Sequence, residues 1–324
     1  MNAPSSSKAR TDSLSLSAKR ARLNRKHSDQ RHMCPADTLT AVRSLIVNAD
    51  DFGLTTGINQ AVLELRRDNA LTSTTLMATG EQFTEAVNFA SQTPALGVGC
   101  HVVLVDGTPA LLPSEIPSLI DPSSQNGTAF RPKLSTFVTD LLRGRISDTE
   151  IEAEATAQIK KLLQAGVHVT HLDTHKHTHM FPGVLRPLVR AALACAVKAI
   201  RNPFEPNWSL SATANAGHVR KMQVRLLRSQ SAAFSEEVSR AGLLTTDGAI
   251  GVLATGTLDA QTIRNLFSAM PDGTWELVCH PGYNDAALEQ QNTRLLASRD
   301  VERTALLETI PHANVDLIHF GQLA

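Results

Sequence analysis

The sequence predicts an α/β protein: a distorted (β/α) barrel of about seven to eight parallel strands, with a helical insertion and a disordered N-terminal tail. Short apolar runs, typical of parallel strands buried on both faces, alternate with segments of helical periodicity from Ser44 to the end of the chain. The number of these repeats favours a curled sheet over an open one. An apolar content of 42% and a charged content of 19% are typical of a globular domain with a large core.

The elements of the first half of the chain follow one another closely. Residues 44–49 form an apolar run that predicts the first strand. A helix follows, because Ile58, Ala61, Val62 and Leu65 have the spacing of one helical face. The next predicted elements are a strand at 72–77, a helix at 81–91, a strand at 96–104 and a proline-rich loop up to residue 132.

The second half of the chain continues the alternation. The segment 147–150 (Ser-Asp-Thr-Glu) has the pattern of a capping box and predicts the start of a long helix. Residues 204–247 do not fit the alternation, so we expect a helical insertion within a single domain that spans 43–324. Further strands are predicted at 167–173, 198–201, 249–253, 276–279 and 315–318, and further helices at 182–197, 259–270 and 299–307.

Residues 1–42 differ from the rest of the chain in composition. They are rich in serine and basic residues and lack the apolar run of a signal peptide, which predicts a disordered tail. The four cysteines are scattered, and no stretch of the chain is apolar for long enough to span a membrane. We therefore expect a cytoplasmic protein. The formal net charge of +0 gives no reason to expect a nucleic-acid partner.

Acidic and histidine side chains lie at the ends of three of the predicted strands, and one histidine lies within a fourth. Because the carboxyl ends of parallel strands meet at one rim of a barrel, we expect these side chains to share a site. They are Asp50 and Asp51, His101, the segment 171–175, and His280.

The segment 168–179 holds five of the twelve histidines of the chain. His171 and Asp173 share one strand face, and His175 follows at the turn. An Asp–His–His set can hold a divalent metal while leaving positions open for water and substrate. We interpret His171 and Asp173 as groups that orient the ligands or face the substrate, and we expect the histidines at 177 and 179 on the surface beyond the site.

Each of these residues also has a plainer interpretation. The histidine cluster could be a surface loop without a metal. Either Asp50 or Asp51 could cap the following helix. His101 could be a core residue whose hydrogen bonds are satisfied internally. His280 could be a turn histidine bonded to the backbone, although it would also suit the general acid that protonates a departing amine.

Five motifs, in the same order along the chain, resemble those of the YdjC-like carbohydrate deacetylases. This family includes the chitooligosaccharide deacetylases and a branch associated with hopanoid biosynthesis. The resemblance runs from about Ser44 to the C-terminus. Its motifs are LIVNADDFGL at 45–54, LTSTT at 71–75, GCH at 99–101, THLDTHKH at 170–177 and CHPGY at 279–283.

The resemblance implies a distorted (β/α) barrel in which one divalent metal ion supports the removal of N-acetyl groups from amino sugars. Mg²⁺ is the metal that the resemblance implies, and Zn²⁺ or Mn²⁺ also suits the ligand set. The roles that it implies are metal ligation for Asp51, His101 and His175, general base for Asp50, general acid for His280, and orientation of the base or the substrate for Arg201.

The resemblance leaves the substrate open between a chitooligosaccharide and a lipid-linked N-acetylglucosamine. Segments 101–109 and 200–206 are more similar to the hopanoid-associated branch, and segment 279–283 is more similar to the chitooligosaccharide enzymes. Basic and apolar residues alternate at 218–228, which predicts either a lid helix on the barrel or a peripheral membrane contact. The alternatives are a metal-dependent phosphoesterase or amidohydrolase and a non-catalytic sugar-binding protein, and a homo-oligomer is compatible with the sequence.

Overall fold

A computed structural model describes residues 43–214 and 217–324, so the predicted tail at 1–42 lies outside the described residues. Its strands are β1 (Arg43–Phe52), β2 (Ser73–Leu76), β3 (Gly97–Val102), β4 (Val169–Thr174), β5 (Gly248–Ile250), β6 (Gly273–Cys279) and β7 (Asp316–Leu317). They form a seven-stranded sheet in which every strand pair is parallel, in the order β4-β3-β2-β1-β6-β5, and β7 pairs with the start of β1.

Helices follow most of the strands and cover the sheet. The helices of the first half are α1 (Thr56–Arg67), α2 (Phe83–Ser91), α3 (Leu134–Leu142), α4 (Asp148–Gln164) and α5 (Pro182–Ala194). Those of the second half are α6 (Asn207–Ala212), α7 (His218–Leu227), α8 (Ser231–Arg240), α9 (Ala260–Ala269), α10 (Ala286–Glu289) and α11 (Ala297–Thr309). Helices α6 to α8 occupy the segment 204–247.

Isolated parallel bridges continue the sheet beyond β4. Ile200 pairs with Leu172, and Ala199 pairs with Leu244, a few residues before β5. Strand β5 pairs with β6, and β6 pairs with β1 on the side opposite to β2. The bridges after β4 therefore lead, through β5 and β6, back to β1. The sheet therefore curls into a distorted, incomplete barrel, and the predicted fold class is confirmed. The strand predicted at 198–201 is reduced to these bridges, and the one predicted at 249–253 is shorter than expected.

The predicted periodicity describes α1 well, and the residue that caps its N-terminus is neither Asp50 nor Asp51. Ile58, Ala61, Val62 and Leu65 are all buried against the sheet. The residue that caps the helix is Thr55, whose hydroxyl accepts a hydrogen bond from the Ile58 backbone N–H. Neither aspartate at the end of β1 is therefore needed as the cap.

Helix α4 begins where the sequence predicts, but the predicted capping box is wrong. The Ser147 hydroxyl pairs with the Thr149 hydroxyl at 2.8 Å and makes no cap hydrogen bond within the described residues. The Glu150 carboxylate instead accepts a hydrogen bond of 2.7 Å from the backbone N–H of Ser118. A contact with the preceding loop, which the local sequence does not reveal, replaces the reciprocal cap.

Helix α7 packs back onto the barrel through one arginine. Arg220 donates hydrogen bonds of 3.0 and 3.1 Å to the carbonyl oxygens of Val252 and Thr255, which follow β5. Met222 and Leu226, in contrast, are 67% and 74% exposed. Within the described residues, no helix is long and apolar enough to cross a membrane.

Candidate metal centre and active site

The backbone at the end of β1 brings two consecutive carboxylates to the same rim. Neighbouring side chains of a strand normally point to opposite faces. Asp51, however, has a left-handed φ of 66°, and the pairing of β1 with β2 shifts register between Ala49 and Phe52. A non-glycine residue held in this conformation costs on the order of 1–3 kcal/mol, and such strain is concentrated at functional sites. Asp50 and Asp51 therefore both line one cavity.

Asp51, His101 and His175 form a cluster with the geometry of a metal site. Asp51 Oδ1 lies 3.5 Å from His101 Nε2 and 3.3 Å from His175 Nδ1, and the two imidazole nitrogens are 3.3 Å apart. Asp51 Oδ1 is buried and accepts no hydrogen bond from any described residue. A buried carboxylate oxygen without a donor is costly, and a divalent cation bound by these three atoms would neutralise it. The residues therefore fit a metal ion.

His101 is oriented by a carboxylate on the neighbouring strand. Its Nδ1 lies 2.8 Å from Asp173 Oδ1, which leaves Nε2 facing Asp51 and His175. This carboxylate–histidine arrangement is the usual support for an imidazole that binds a metal. Burial alone would lower the pKa of His101, but Asp173, Asp50 and Asp51 outweigh burial and raise that pKa to about 9. The negative charge that favours a proton here also favours a cation.

A second group of possible ligands, Asp50, His101 and Asp173, lies close to the first. Its two carboxylates already share the positive charge of Arg201, which bonds to Asp50 at 2.7 and 2.9 Å and also to Asp173. The His101 nitrogen on this side is also bonded to Asp173. The cluster around Asp51 is therefore the better candidate for a metal.

Arg201 is fully buried and contacts three carboxylates. Besides Asp50 and Asp173, it donates to Glu276 through Nε at 2.8 Å. Burial alone would raise the pKa of Asp50, but Arg201, His101 and His280 together hold it below its usual range. Burial raises the pKa of Glu276 to about 7 against the influence of Arg201. Asp50 is thus an ionised carboxylate whose position is fixed by a bidentate ion pair with Arg201.

His280 follows β6 and faces Asp50. Its Nε2 lies 3.7 Å from Asp50 Oδ2, and its backbone N–H donates to Glu302 at 2.6 Å. Its Nδ1 is buried and has no hydrogen-bond partner among residues 43–214 and 217–324. Burial lowers the pKa of His280 to about 4, with Asp50 and Asp51 acting in the opposite direction. The imidazole is therefore neutral near pH 7.

These groups open onto one cavity of about 950 Å³, large enough for a sugar-sized ligand. Apolar side chains line part of its wall, among them Leu54, Met77, Leu134 and Val252. Basic side chains line another part, namely Lys133, Lys176, Arg220, Arg294 and Arg299. The acidic and histidine residues that line it are Asp50, Asp51, His101, Asp106, His175, His177 and His280.

The remaining histidines of the cluster have different surroundings. His171 does not line the cavity: it is fully buried, stacks on Phe320 at 3.8 Å between ring centroids and bonds to Thr170. Its ring lies so close to Gly99 that an added Cβ there would come within 2.4 Å of it. The surface location expected for the last two histidines is wrong. His177 lines the cavity, and His179 is buried and bonds to the Thr174 hydroxyl at 2.7 Å.

Three charged residues at the site were not predicted from the sequence. Glu276 contacts Arg201, Arg299 donates to Asp51 at 2.6 Å, and Glu302 accepts from His280. One signal was available for two of them. In α11, the buried stripe formed by Ala305, Leu306 and Thr309 extends back at helical spacing to positions 302 and 299, where the residues are charged.

Comparison with known proteins gives a family model and several curated relatives. A family model described as YdjC-like protein matches residues 44–313. A carbohydrate deacetylase of Brevibacillus brevis is 29% identical over 287 residues, which cover 86% of this chain and 99% of that protein. A chitooligosaccharide deacetylase of Salmonella heidelberg is 32% identical over 253 residues, which cover 76% of this chain and 85% of that protein.

A solved structure has a similar fold. It is from Enterococcus faecalis and is described as a candidate cellobiose-phosphate cleavage protein. It matches with a TM-score of 0.68 at 23% sequence identity and covers 86% of this chain and 98% of its own. At this identity the likeness concerns the architecture alone.

Proposed function

The chain belongs to the YdjC-like family, and we propose that it is a metal-dependent hydrolase that removes N-acetyl groups from an acetylated amino sugar. One observation carries this proposal. A three-residue candidate metal cluster, an ionised carboxylate and a neutral imidazole line the same cavity. The relatives of this chain include proteins named carbohydrate deacetylase and chitooligosaccharide deacetylase, which supports an amide of an amino sugar as the substrate.

In this proposal, Asp51, His101 and His175 hold the metal ion. Such an ion, when bound, acidifies water and polarises a carbonyl oxygen. We expect Mg²⁺ from the family resemblance, while two imidazoles beside one carboxylate also suit Zn²⁺ or Mn²⁺. The remaining work falls to side chains that do not bind the metal.

Asp50 and His280 are the groups that move protons in this proposal. Asp50 accepts the proton of the attacking water, and Arg201 holds both of its oxygens in place for this purpose. Water adds to the acetyl carbon, and the proton that Asp50 has taken from it passes to the neutral imidazole of His280. The carbon–nitrogen bond then breaks as His280 delivers this proton to the departing amine. The products are acetate and a free amino sugar. Because His280 Nε2 lies 3.7 Å from Asp50 Oδ2, both groups can act at the same reacting centre.

A chitooligosaccharide is the first candidate for the substrate, and a lipid-linked N-acetylglucosamine is the second. The second is favoured by α7, which carries the exposed Met222 and Leu226 beside the basic Arg225 and which contacts the cavity through Arg220. Such a surface could contact a membrane peripherally. We also propose a cytoplasmic location, and the proposed function is compatible with a homo-oligomer.

An acetate-release assay tests this function. The purified protein, depleted of metal and then reconstituted with Mg²⁺, Mn²⁺ or Zn²⁺, is given N-acetylglucosamine oligomers and N-acetylglucosaminyl lipids. We expect stoichiometric acetate and amine from one of these classes, and background levels after chelation. Release of phosphate from phosphate esters without acetate release would identify a phosphoesterase instead. Arg190→Gln is the control variant: it removes exposed ion pairs with Glu152 and Asp148, and it should release acetate as the wild type does.

A further inference from the structure

Helix α11 carries two buried charged residues one turn apart, and each contacts a different part of the site. Arg299 and Glu302 are both 1% exposed. Charged side chains are almost never this deeply buried unless they are paired. Their partners are the end of β1 for Arg299 and the segment after β6 for Glu302. Helix α11 therefore connects the two strand ends that carry Asp51 and His280.

Arg299 fixes the orientation of the Asp51 carboxylate. Its Nη2 donates to Asp51 Oδ2 at 2.6 Å, and its own Nε is held by the Leu295 carbonyl oxygen at 3.0 Å. With Oδ2 bonded in this way, Oδ1 is the oxygen that faces His101 and His175. A freely rotating carboxylate would have to be ordered on each binding event, which costs side-chain entropy.

Glu302 fixes the backbone that carries His280. One carboxylate oxygen accepts from the His280 backbone N–H at 2.6 Å, and the other accepts from the Gly256 backbone N–H at 3.1 Å. The Arg299 carbonyl oxygen accepts from the Gly282 N–H at 3.2 Å, so α11 holds the segment 280–282 at both ends. This places the His280 ring relative to Asp50 without touching the ring itself.

We propose that Arg299 and Glu302 are positioning residues with separate tasks: Arg299 presets Asp51 for the metal, and Glu302 presets His280 for protonation of the leaving amine. This inference rests on the proposed function. Because the two side chains have different partners, their variants have different signatures. Loss of Arg299 weakens metal binding, whereas loss of Glu302 lowers turnover and leaves metal binding unchanged.

Metal titration tests the task of Arg299. We expect Arg299→Gln to weaken the Kd for Mn²⁺ or Zn²⁺ by about 10- to 100-fold, the range found when groups that support metal ligands are removed. Arg303→Gln is the matched control, because Arg303 lies on the same helix and also pairs with carboxylates, those of Glu64 and Asp300. A Kd for Arg299→Gln within twofold of the control would overturn the assignment.

A double-mutant comparison tests the task of Glu302. We expect Glu302→Gln to bind metal as the wild type does and to lower kcat for acetate release by about 10- to 100-fold, since small displacements of a catalytic group have effects of this size. His280→Asn removes the imidazole itself. If Glu302 acts through His280, the double variant is no slower than His280→Asn alone. A further, additive loss in the double variant would show a merely structural role.

These tests separate failure of the inference from failure of the proposed function. If the wild-type protein released no acetate from any sugar, this result would refute the proposed function and, with it, the role proposed for Glu302. The metal titration needs no activity, so it still decides the task of Arg299.

Discussion

Asp50→Asn is expected to bind metal normally and to lose turnover by about 10²- to 10⁴-fold, the usual contribution of a general base. Asparagine has the shape of aspartate but cannot accept the proton. The protein should remain folded, because Arg201 keeps Asp173 and Glu276 as partners. Metal affinity should also remain, since Asp50 is not one of the three proposed ligands.

The measurement is kcat for acetate release beside metal content, with Arg190→Gln again as the control. Full activity in Asp50→Asn would refute the assignment of Asp50 as the base. A fall in metal content equal to the fall in activity would instead place Asp50 among the ligands.

Arg201→Ala is expected to have the largest effect on stability, about 3–5 kcal/mol in the free energy of unfolding, because breaking a buried ion pair leaves uncompensated charge behind. Three buried carboxylates, those of Asp50, Asp173 and Glu276, lose their shared partner. Denaturant unfolding measures the change. Arg190→Ala, which breaks an exposed ion pair, should cost at most about 1 kcal/mol. Equal losses in the two variants would show that the cluster contributes little to stability.

The fold was predictable because its physical determinants are local. Strands buried on both faces must be apolar along their length, and helices on the outside must be apolar on one face only. Strand ends also share a rim, so sequence position alone indicates that Asp51, His101 and His175 lie on the same side of the barrel. In the structure, Asp51 Oδ1 and one ring nitrogen of each histidine lie within 3.5 Å of one another.

The detailed geometry of the site was less predictable, because it depends on backbone conformation. The sequence does not reveal that Asp51 adopts a left-handed φ, which brings two consecutive aspartates to the same cavity. Nor does it reveal the left-handed turn at Lys176 and His177, which places His177 on the cavity wall. His171 shares a strand face with Asp173, yet it packs against Phe320 away from the cavity.

Contacts between distant segments were the least predictable. Arg299 is 248 residues from Asp51 along the chain, and its contact depends on how α11 packs against the end of β1. In the sequence, α11 resembles an ordinary amphipathic helix with a charged outer face. Only the direction of its buried stripe, extended toward its N-terminus, indicates that two of its charges lie inside the protein.

Metal stoichiometry, measured together with acetate release, is the most direct test of the claim that Asp51, His101 and His175 form a metal centre required for catalysis. Elemental analysis and the acetate assay are applied to the wild type, to His101→Ala and to His175→Ala. We predict one divalent ion per chain and acetate release in the wild type, and the loss of both in each variant. A variant that kept its activity without either histidine, or a wild type that released acetate at full rate without bound metal, would contradict the account.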